Sequence, residues 1–230
     1  MFIIKIVAII PARGGSKRLP RKNIKMMNGK PMIAYSIEAA KQSKYIDRVI
    51  VSTDDDEIAD VSREYGAEVM MRPSELAQDD TASMPVFKHI HENLMSEIYV
   101  TDAYVILQPT SPLRTVKDVD NAIGIFIEND CYSVIGVCLN PHPAEWLYSI
   151  KDGFMVSTSK NCGVRSQDAE KLYLLNGAMF VVRPDAIGSG VMINESSKPY
   201  IMPQERSIDI DTFLDFKTAE ELMRLHSDEE

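Results

Sequence analysis

Ile6-Val7-Ala8-Ile9-Ile10 leads through Pro11-Ala12 into Arg13-Gly14-Gly15-Ser16-Lys17-Arg18-Leu19-Pro20-Arg21-Lys22-Asn23. An unbroken apolar run of this length reads as a strand buried on both faces, the kind found in parallel sheets. Two adjacent glycines at its end let backbone N–H groups approach an anion closely, and the cations that follow surround it. From Met1 to Ile37 there are eight Lys or Arg and no acid, although the whole chain carries a formal net charge of −9. The positive charge is therefore local, and the segment reads as a phosphate cradle; the competing reading is a solvated basic turn. The P-loop pattern would need a second glycine ahead of Lys17, and Gly14-Gly15 does not meet the dinucleotide pattern G-x-G-x-x-G.

Working outward, apolar strand-like runs alternate with helix-like segments. Ile6–Ile10 is followed by a helix over 32–43, a strand over 48–52, a helix over 57–65 stopped by Gly66, and a strand over 68–71. This alternation predicts an α/β fold, a Rossmann-like three-layer arrangement with a mostly parallel sheet and helices on both faces. Ligands on such sheets bind beyond the carboxyl ends of the strands, where the Arg13–Asn23 loop lies. Further on, the pattern predicts a helix near 84–95, a strand over 103–108 feeding a proline-punctuated loop, a helix over 116–128 and a strand over 132–137. It then loosens from about Asn140 to Lys171, which reads as a small projecting lobe. Strand character resumes at 172–175 and 178–182, and a helix over 212–226 closes the chain with Phe213, Phe216, Ala219 and Leu222 inward.

Length and composition bound the answer. With 230 residues and 45 % hydrophobic content, the chain forms one domain over 1–230 with a sizeable core. The lysine-interrupted N-terminal run is too short to span a bilayer and lacks the flanks of a signal peptide. Cys131, Cys138 and Cys162 are widely spaced without metal-binding patterns, which fits a reducing cytoplasm. The acidic balance argues against nucleic acid as a partner. His89, His91, His142 and His226 read as structural or solvated.

Two further features carry chemistry. In Ser207-Ile208-Asp209-Ile210-Asp211 the isoleucines alternate with the acids, so an extended backbone puts both carboxylates on one face, about 7 Å apart at Cα. That pair suits Mg²⁺, which takes one or two carboxylates plus waters and phosphate oxygens; the alternative is that Asp211 merely caps the following helix. Lys17 and Lys22 can bracket a triphosphate as point charges, with Arg13 available for bidentate contact.

The run Ala12-Arg13-Gly14-Gly15-Ser16-Lys17-Arg18-Leu19-Pro20-Arg21-Lys22-Asn23 resembles the signature of the cytidylyltransferases that activate nine-carbon acidic sugars, the CMP-sialic acid synthetase family. Val51-Ser52-Thr53-Asp54, Arg72-Pro73-Ser74-Glu75-Leu76, Thr81-Ala82-Ser83, Leu107-Gln108-Pro109-Thr110-Ser111-Pro112-Leu113-Arg114, Asn176-Gly177-Ala178 and Ser207–Asp211 are similar to further blocks of that family, in the same order. The resemblance implies attack of a sugar's anomeric hydroxyl on the α-phosphorus of CTP, with pyrophosphate leaving. It implies that Arg13, Gly15, Ser16 and Lys17 hold the triphosphate and that Lys22 neutralises charge at the α-phosphorus. Asn23, Arg72, Thr81, Ala82 and Ser83 would lie around base and ribose; Arg72 is alternatively a structural arginine before Pro73. Gln108, Thr110, Ser111, Arg165, Asn176 and Gly177 would meet a nonulosonic acid sugar, and Asp209 and Asp211 the magnesium. A homodimer is implied, with the lobe over 140–171 reaching toward the partner.

The chain also departs from the pattern. Sialic-acid members often show Arg-Pro-Asn-Gly-Ala-Ile-Tyr where this sequence has Leu174-Leu175-Asn176-Gly177-Ala178-Met179-Phe180. A cation and a phenol are missing, which leaves room for legionaminic acid, a related diamino nonulosonate or a deaminated sialic acid; a KDO synthetase is the more distant alternative. From a different class, a silent nucleotide-binding protein would keep the cradle without the chemistry.

Overall fold

Residues Ile6 to Ile10 are fully buried, and their side chains part to two faces. Ile6, Ala8 and Ile10 enter a core with Ile33, Ile37, Val119 and Ile123, whereas Val7 and Ile9 meet Val86, Ile90 and Ile187. A strand sandwiched this way has no polar face to spare, which is why the run lacks alternation. Each large side chain buried contributes about 1.5–3 kcal/mol.

The computed structural model describes residues 4–78, 81–158, 165, 167 and 169–227. Its elements run β1 (Ile6–Pro11), a tight hairpin of β2 (Met26–Met27) and β3 (Lys30–Pro31), α1 (Met32–Gln42), β4 (Arg48–Thr53), α2 (Asp56–Glu64), β5 (Glu68–Met71) and α3 (Ser83–Ser96). Then follow β6 (Ala103–Ile106), α4 (Val116–Asn129), β7 (Ser133–Leu139), β8 (Tyr148–Lys151), β9 (Phe154–Ser157), β10 (Tyr173–Val182), α5 (Pro184–Ser189), β11 (Ser197–Ile201) and α6 (Phe213–Ser227).

Seven strands form one sheet in the order β11-β7-β10-β6-β1-β4-β5. β10 pairs antiparallel with both β6 and β7, and every other pairing in this sheet is parallel. From β1 the chain first builds outward through β4 and β5, then returns to place β6 on the opposite side of β1. The strand order therefore reverses between β1 and β6, and a crevice opens at their carboxyl ends. Helices α1, α2 and α4 cover one face, and α3 and α5 the other.

Several expectations change. The two runs over 172–175 and 178–182 are one strand, β10, with a register irregularity between Leu175 and Phe180 that accommodates Gly177 at φ 68°. β11 and α5 carry weak sequence signals: β11 contains Pro199, tolerated because the strand lies at the sheet edge, and α5 begins on Pro184. Within the lobe, β8 and β9 form a separate two-stranded sheet turned by Asp152 and Gly153, both at positive φ, as a two-residue hairpin requires. Cys162 and the turn around it lie outside the described residues.

The segment Ser207–Asp211 is not a strand. It runs beside the loop after β6 and is tied to it where the Ile210 N–H donates to the Thr110 carbonyl at 2.8 Å. Ile210 is nevertheless fully buried, in a third cluster with Leu19, Met27, Met32, Leu113, Phe216 and Ala219. This cluster fastens the loop after β1 and α6 together. Phe213, expected inward, is exposed at the first turn of α6, where Lys217 Nζ lies 5.7 Å from its ring centroid.

Asp211 does not cap α6. Thr212 does: its hydroxyl accepts from the Asp215 N–H at 3.2 Å, and the Asp215 carboxylate accepts from the Thr212 N–H at 2.7 Å. Thr212→Ala should lower unfolding free energy by about 1 kcal/mol in urea titration, and no change would mean that packing of Phe216 alone holds the helix.

Candidate active site

The loop after β1 keeps the sheet's pairing for one more residue, Ala12 N–H to the Ser52 carbonyl at 2.9 Å, and then turns away. The Gly14 N–H donates to Asp54 Oδ1 at 3.1 Å, and Asn23 Nδ2 donates to the Arg13 carbonyl at 2.9 Å, closing the loop on itself. Leu19 plugs its far side into the third cluster. The open cavity beside it, about 440 Å³, is walled by Arg13, Ser16, Lys17, Arg18, Lys22 and Asn23 on one side and by Gln108, Thr110 and Asp211 on the other. A second recess of about 270 Å³ adjoins it, lined by Arg72, Gln78, Thr81 and Ser83 with an apolar wall of Leu76, Val86 and Phe87. Pro11, Arg13 and Gln108 border both.

Lys22 stands where the two sides of the larger cavity meet. Its Nζ donates to the Ile210 carbonyl at 2.8 Å and to Asp211 Oδ1 at 3.1 Å, while Arg18 reaches Asp211 Oδ2 at 2.8 Å. One carboxylate thus holds two cations of the loop together. Solvent reaches Asp209, yet partial desolvation raises its carboxyl above the usual range; the Thr110 hydroxyl opposes the shift, and Asp211 adds to it. Lys22, which pairs with Asp211, also lowers the Asp209 carboxyl.

Arg72 is almost fully buried, and desolvation lowers its pKa while Asp54 works the other way. It donates to the Ser52 carbonyl at 2.5 Å and to the Leu76 carbonyl at 3.4 Å, bracing the second recess from below. Gly15 and Ala82 are exposed and line neither cavity; Ala82 is the residue before α3. Ser111 is fully buried. Asn176 is buried too: its Oδ1 accepts from the Ala178 N–H at 3.1 Å and its Nδ2 donates to Ser207 Oγ at 3.0 Å. It therefore links β10 to the segment carrying Asp209 and Asp211. Gly177 faces Gln108, whose side chain a Cβ there would meet at 3.7 Å. Arg165 is exposed in the lobe and lines neither cavity.

Sequence reasoning gave no role to three groups that build this site. Arg114, in the block after β6, is buried and donates to the Ala178 carbonyl and to Ser36 Oγ, each at 2.6 Å. Asp55 accepts from both terminal nitrogens of Arg21 at 2.5 and 3.2 Å and from the Ile58 N–H at 3.0 Å. The apolar wall at Val86 and Phe87 hides in an ordinary helix pattern. For Asp55 the signal was present: Asp54-Asp55-Asp56-Glu57 is the first dense acidic run after an acid-free N-terminus.

The Arg21 guanidinium, followed by the Ile58 N–H, holds the Asp55 carboxyl below its ordinary value against the opposing effect of burial. A carboxyl with a depressed folded-state pKa contributes stability above its unfolded value, about 4, and loses it as pH falls through the folded value. Wild type should thus exceed Asp55→Asn in stability at pH 7, and the gap should close below about pH 4 in urea titrations. A gap independent of pH would show that the ion pair adds nothing.

Residues 7–227 match the family model described as cytidylyltransferase. The chain is 35% identical over 223 residues to an N-acylneuraminate cytidylyltransferase of Escherichia coli, covering 94% of this chain and about half, 51%, of that relative. It is 34% identical over 233 residues to a CMP-N,N'-diacetyllegionaminic acid synthase of Legionella pneumophila, covering 98% of this chain and 99% of that one. Among solved structures, a CMP:2-keto-3-deoxy-manno-octonic acid synthetase complexed with CTP superposes with a TM-score of 0.72 at 19% identity, over 96% of this chain and 99% of that chain, which speaks to the fold. With a family match running from β1 to α6, and this fold beneath it, the chain belongs to the cytidylyltransferase family.

Proposed function

We propose that the protein transfers CMP from CTP to the anomeric hydroxyl of a nine-carbon α-keto acid sugar, releasing pyrophosphate. The observation that carries this reading is the pair of adjoining recesses at the switch point between β1 and β6, bordered in common by Arg13 and Gln108. The smaller recess, with its apolar wall and the hydroxyls of Thr81 and Ser83, suits a nucleobase and ribose. The larger suits a triphosphate on its cationic side and a polar sugar against Gln108 and Thr110. Arg13, Ser16 and Lys17 then hold the β- and γ-phosphates, and Lys22 faces the α-phosphorus. Such a reaction needs positioning and charge stabilisation more than a nucleophilic side chain. Asp209 and Asp211 would hold Mg²⁺, since two neighbouring carboxylates beside a phosphate site match its habit; the ion, when bound, neutralises phosphate charge. Arg165, by the family resemblance, is the candidate for the sugar carboxylate.

The two relatives above act, by their names, on an N-acylneuraminate and on N,N'-diacetyllegionaminic acid, which keeps both sugars in view. The test is pyrophosphate release from CTP and Mg²⁺ with N-acetylneuraminic, legionaminic, pseudaminic and 3-deoxy-octulosonic acids offered separately. Turnover with a nine-carbon acid is expected; measurable CTP binding without turnover on any acid favours the silent binding protein.

The reading includes a homodimer. Ile150, Phe154 and Met155 on the β8–β9 hairpin are 70–76% exposed, and Tyr173, Leu174 and Leu175 on the outer half of β10 are also exposed. Large apolar side chains exposed in this number support an interface. Phe154→Asp should yield a monomer by light scattering where wild type is a dimer; a monomeric wild type removes the dimer from the reading. Among the described residues no helix is long and apolar enough to cross a membrane, and Cys131 and Cys138 are buried free thiols. A cytoplasmic location belongs to the same proposal.

A further inference from the structure

We infer that Arg21, Asp54 and Asp55 are positioning residues that hold the phosphate loop in its binding shape, so that the acidic turn after β4 serves the nucleotide without touching it. The inference rests on reading this loop as the triphosphate cradle. The turn grips the loop at two places. At one, Asp54 Oδ1 accepts the Gly14 N–H at 3.1 Å, and the backbone of Gly14 lies so close to Asp55 that a Cβ there would fall 2.6 Å from Oδ2 and 2.9 Å from the Asp55 Cβ. At the other, Arg21 stands at φ 55°, a left-handed conformation that a non-glycine residue avoids unless its surroundings hold it. What holds it is its guanidinium, which pairs with both oxygens of Asp55 and also with Glu57.

Asp55 is itself tied down, because it caps α2 through the Ile58 N–H and its own N–H donates to Thr53 Oγ1 at 3.2 Å. The two gripped residues are the sequence neighbours of Arg13 and Lys22, both of which face the cavity. Arg21, Asp54 and Asp55 line neither recess. The acidic turn thus offsets the mutual repulsion of a cationic loop from outside the cavity, where it does not compete with an incoming polyanion for space. It also explains why Gly14 is glycine for a reason other than phosphate contact: the close approach to Asp55 leaves no room for a side chain.

The experiment is a double-mutant cycle with Arg21→Met, Asp55→Asn and the pair, plus Arg21→Lys, on the full chain. The readouts are CTP binding by calorimetry, KM for CTP, KM for the sugar, kcat and melting temperature. Misplacing a binding group by about 1 Å costs up to about a hundredfold, so Arg21→Met should weaken CTP by about tenfold or more and leave KM for the sugar within about twofold. Asp55→Asn should match it, the double variant should be no worse than either single, and Arg21→Lys, which keeps the charge without the fork, should recover only part. Effects that multiply in the double variant, or a fall in melting temperature with CTP binding intact, overturn the inference. Should Arg21→Met fail to fold, Arg21→Lys and Asp55→Asn carry the same comparison. Wild type that turns over no sugar still allows the cycle to be read on CTP or inorganic triphosphate binding. Wild type that binds neither refutes the cradle, and the clamp with it; wild type that binds while the variants bind equally well refutes the clamp alone.

Discussion

Replacing Lys22 by alanine should lower kcat by about 10²–10³-fold while changing CTP affinity by less than about tenfold, the effect of deleting one preorganised charge aimed at a developing one. The asymmetry follows from where Lys22 sits. Arg13, Lys17 and Arg18 remain on the same wall of the cavity, so much of the attraction for a triphosphate survives the loss of one cation. Lys22 differs in being mostly buried, 14% exposed, and in being fixed from two directions by the Ile210 carbonyl and Asp211. A charge held in place ahead of the reaction costs no reorganisation when negative charge moves onto the bridging oxygen of the departing pyrophosphate. Single-turnover measurement at saturating CTP separates the two effects, and an unchanged rate would remove Lys22 from the chemistry. Thermal stability should fall only modestly, because the carboxylate it releases is 43% exposed and still has Arg18, leaving the Ile210 carbonyl as the one acceptor here that loses its Lys22 donor.

Arg114→Ala should destabilise the protein by about 3–5 kcal/mol, one of the larger single effects available in this fold. The side chain is 3% exposed, and desolvation pushes its pKa down to about 10, with only Asp118 in partial compensation. It donates to Ser36 of α1 and to the Ala178 carbonyl of β10, with a longer contact of 3.4 Å to the Gln108 carbonyl after β6. Truncation orphans buried acceptors at about 1–3 kcal/mol each and leaves a cavity, offset in part by removing a charge that was costly to bury. For a chain of this length the midpoint should fall by about 10 °C. Because the same acceptors flank Gln108 and Gly177, KM for the sugar should rise more than KM for CTP. A variant as stable as wild type would show that the junction repacks without it.

Much of the fold was legible because its signals are local. The apolar run of β1, the glycine stop at Gly66 and the helix periods over α1 to α4 each depend on a few neighbouring residues. The sheet edge was not: β11 is polar, contains Pro199 and pairs only with β7, so nothing in its own composition announces a strand. Ser207–Asp211 misled for the opposite reason, since alternation reports which side chains are buried and not whether a neighbouring strand pairs with the backbone. The cationic wall of the cavity could be read directly, its arginines and lysines being conspicuous against an acidic chain. Its supports could not. Arg114 and Asn176 act through contacts 78 and 31 residues away, and a lone arginine or asparagine looks the same in sequence whether it braces a loop or meets solvent.

The tie between Lys22 and Asp211 spans 189 residues, nearly the whole chain. During synthesis at roughly 5–20 residues per second, the loop emerges roughly 10–40 s before its acidic partner exists. The parallel core of β1, β4, β5 and β6 can assemble in that interval with the site still lacking one wall. Closing so distant a contact is also slow in conformational terms, because the entropy of ordering the intervening chain must be met first. Until Asp211 is in place Lys22 lacks the carboxylate and the carbonyl that fix it, so the geometry of the loop after β1 depends on a segment synthesised 189 residues later.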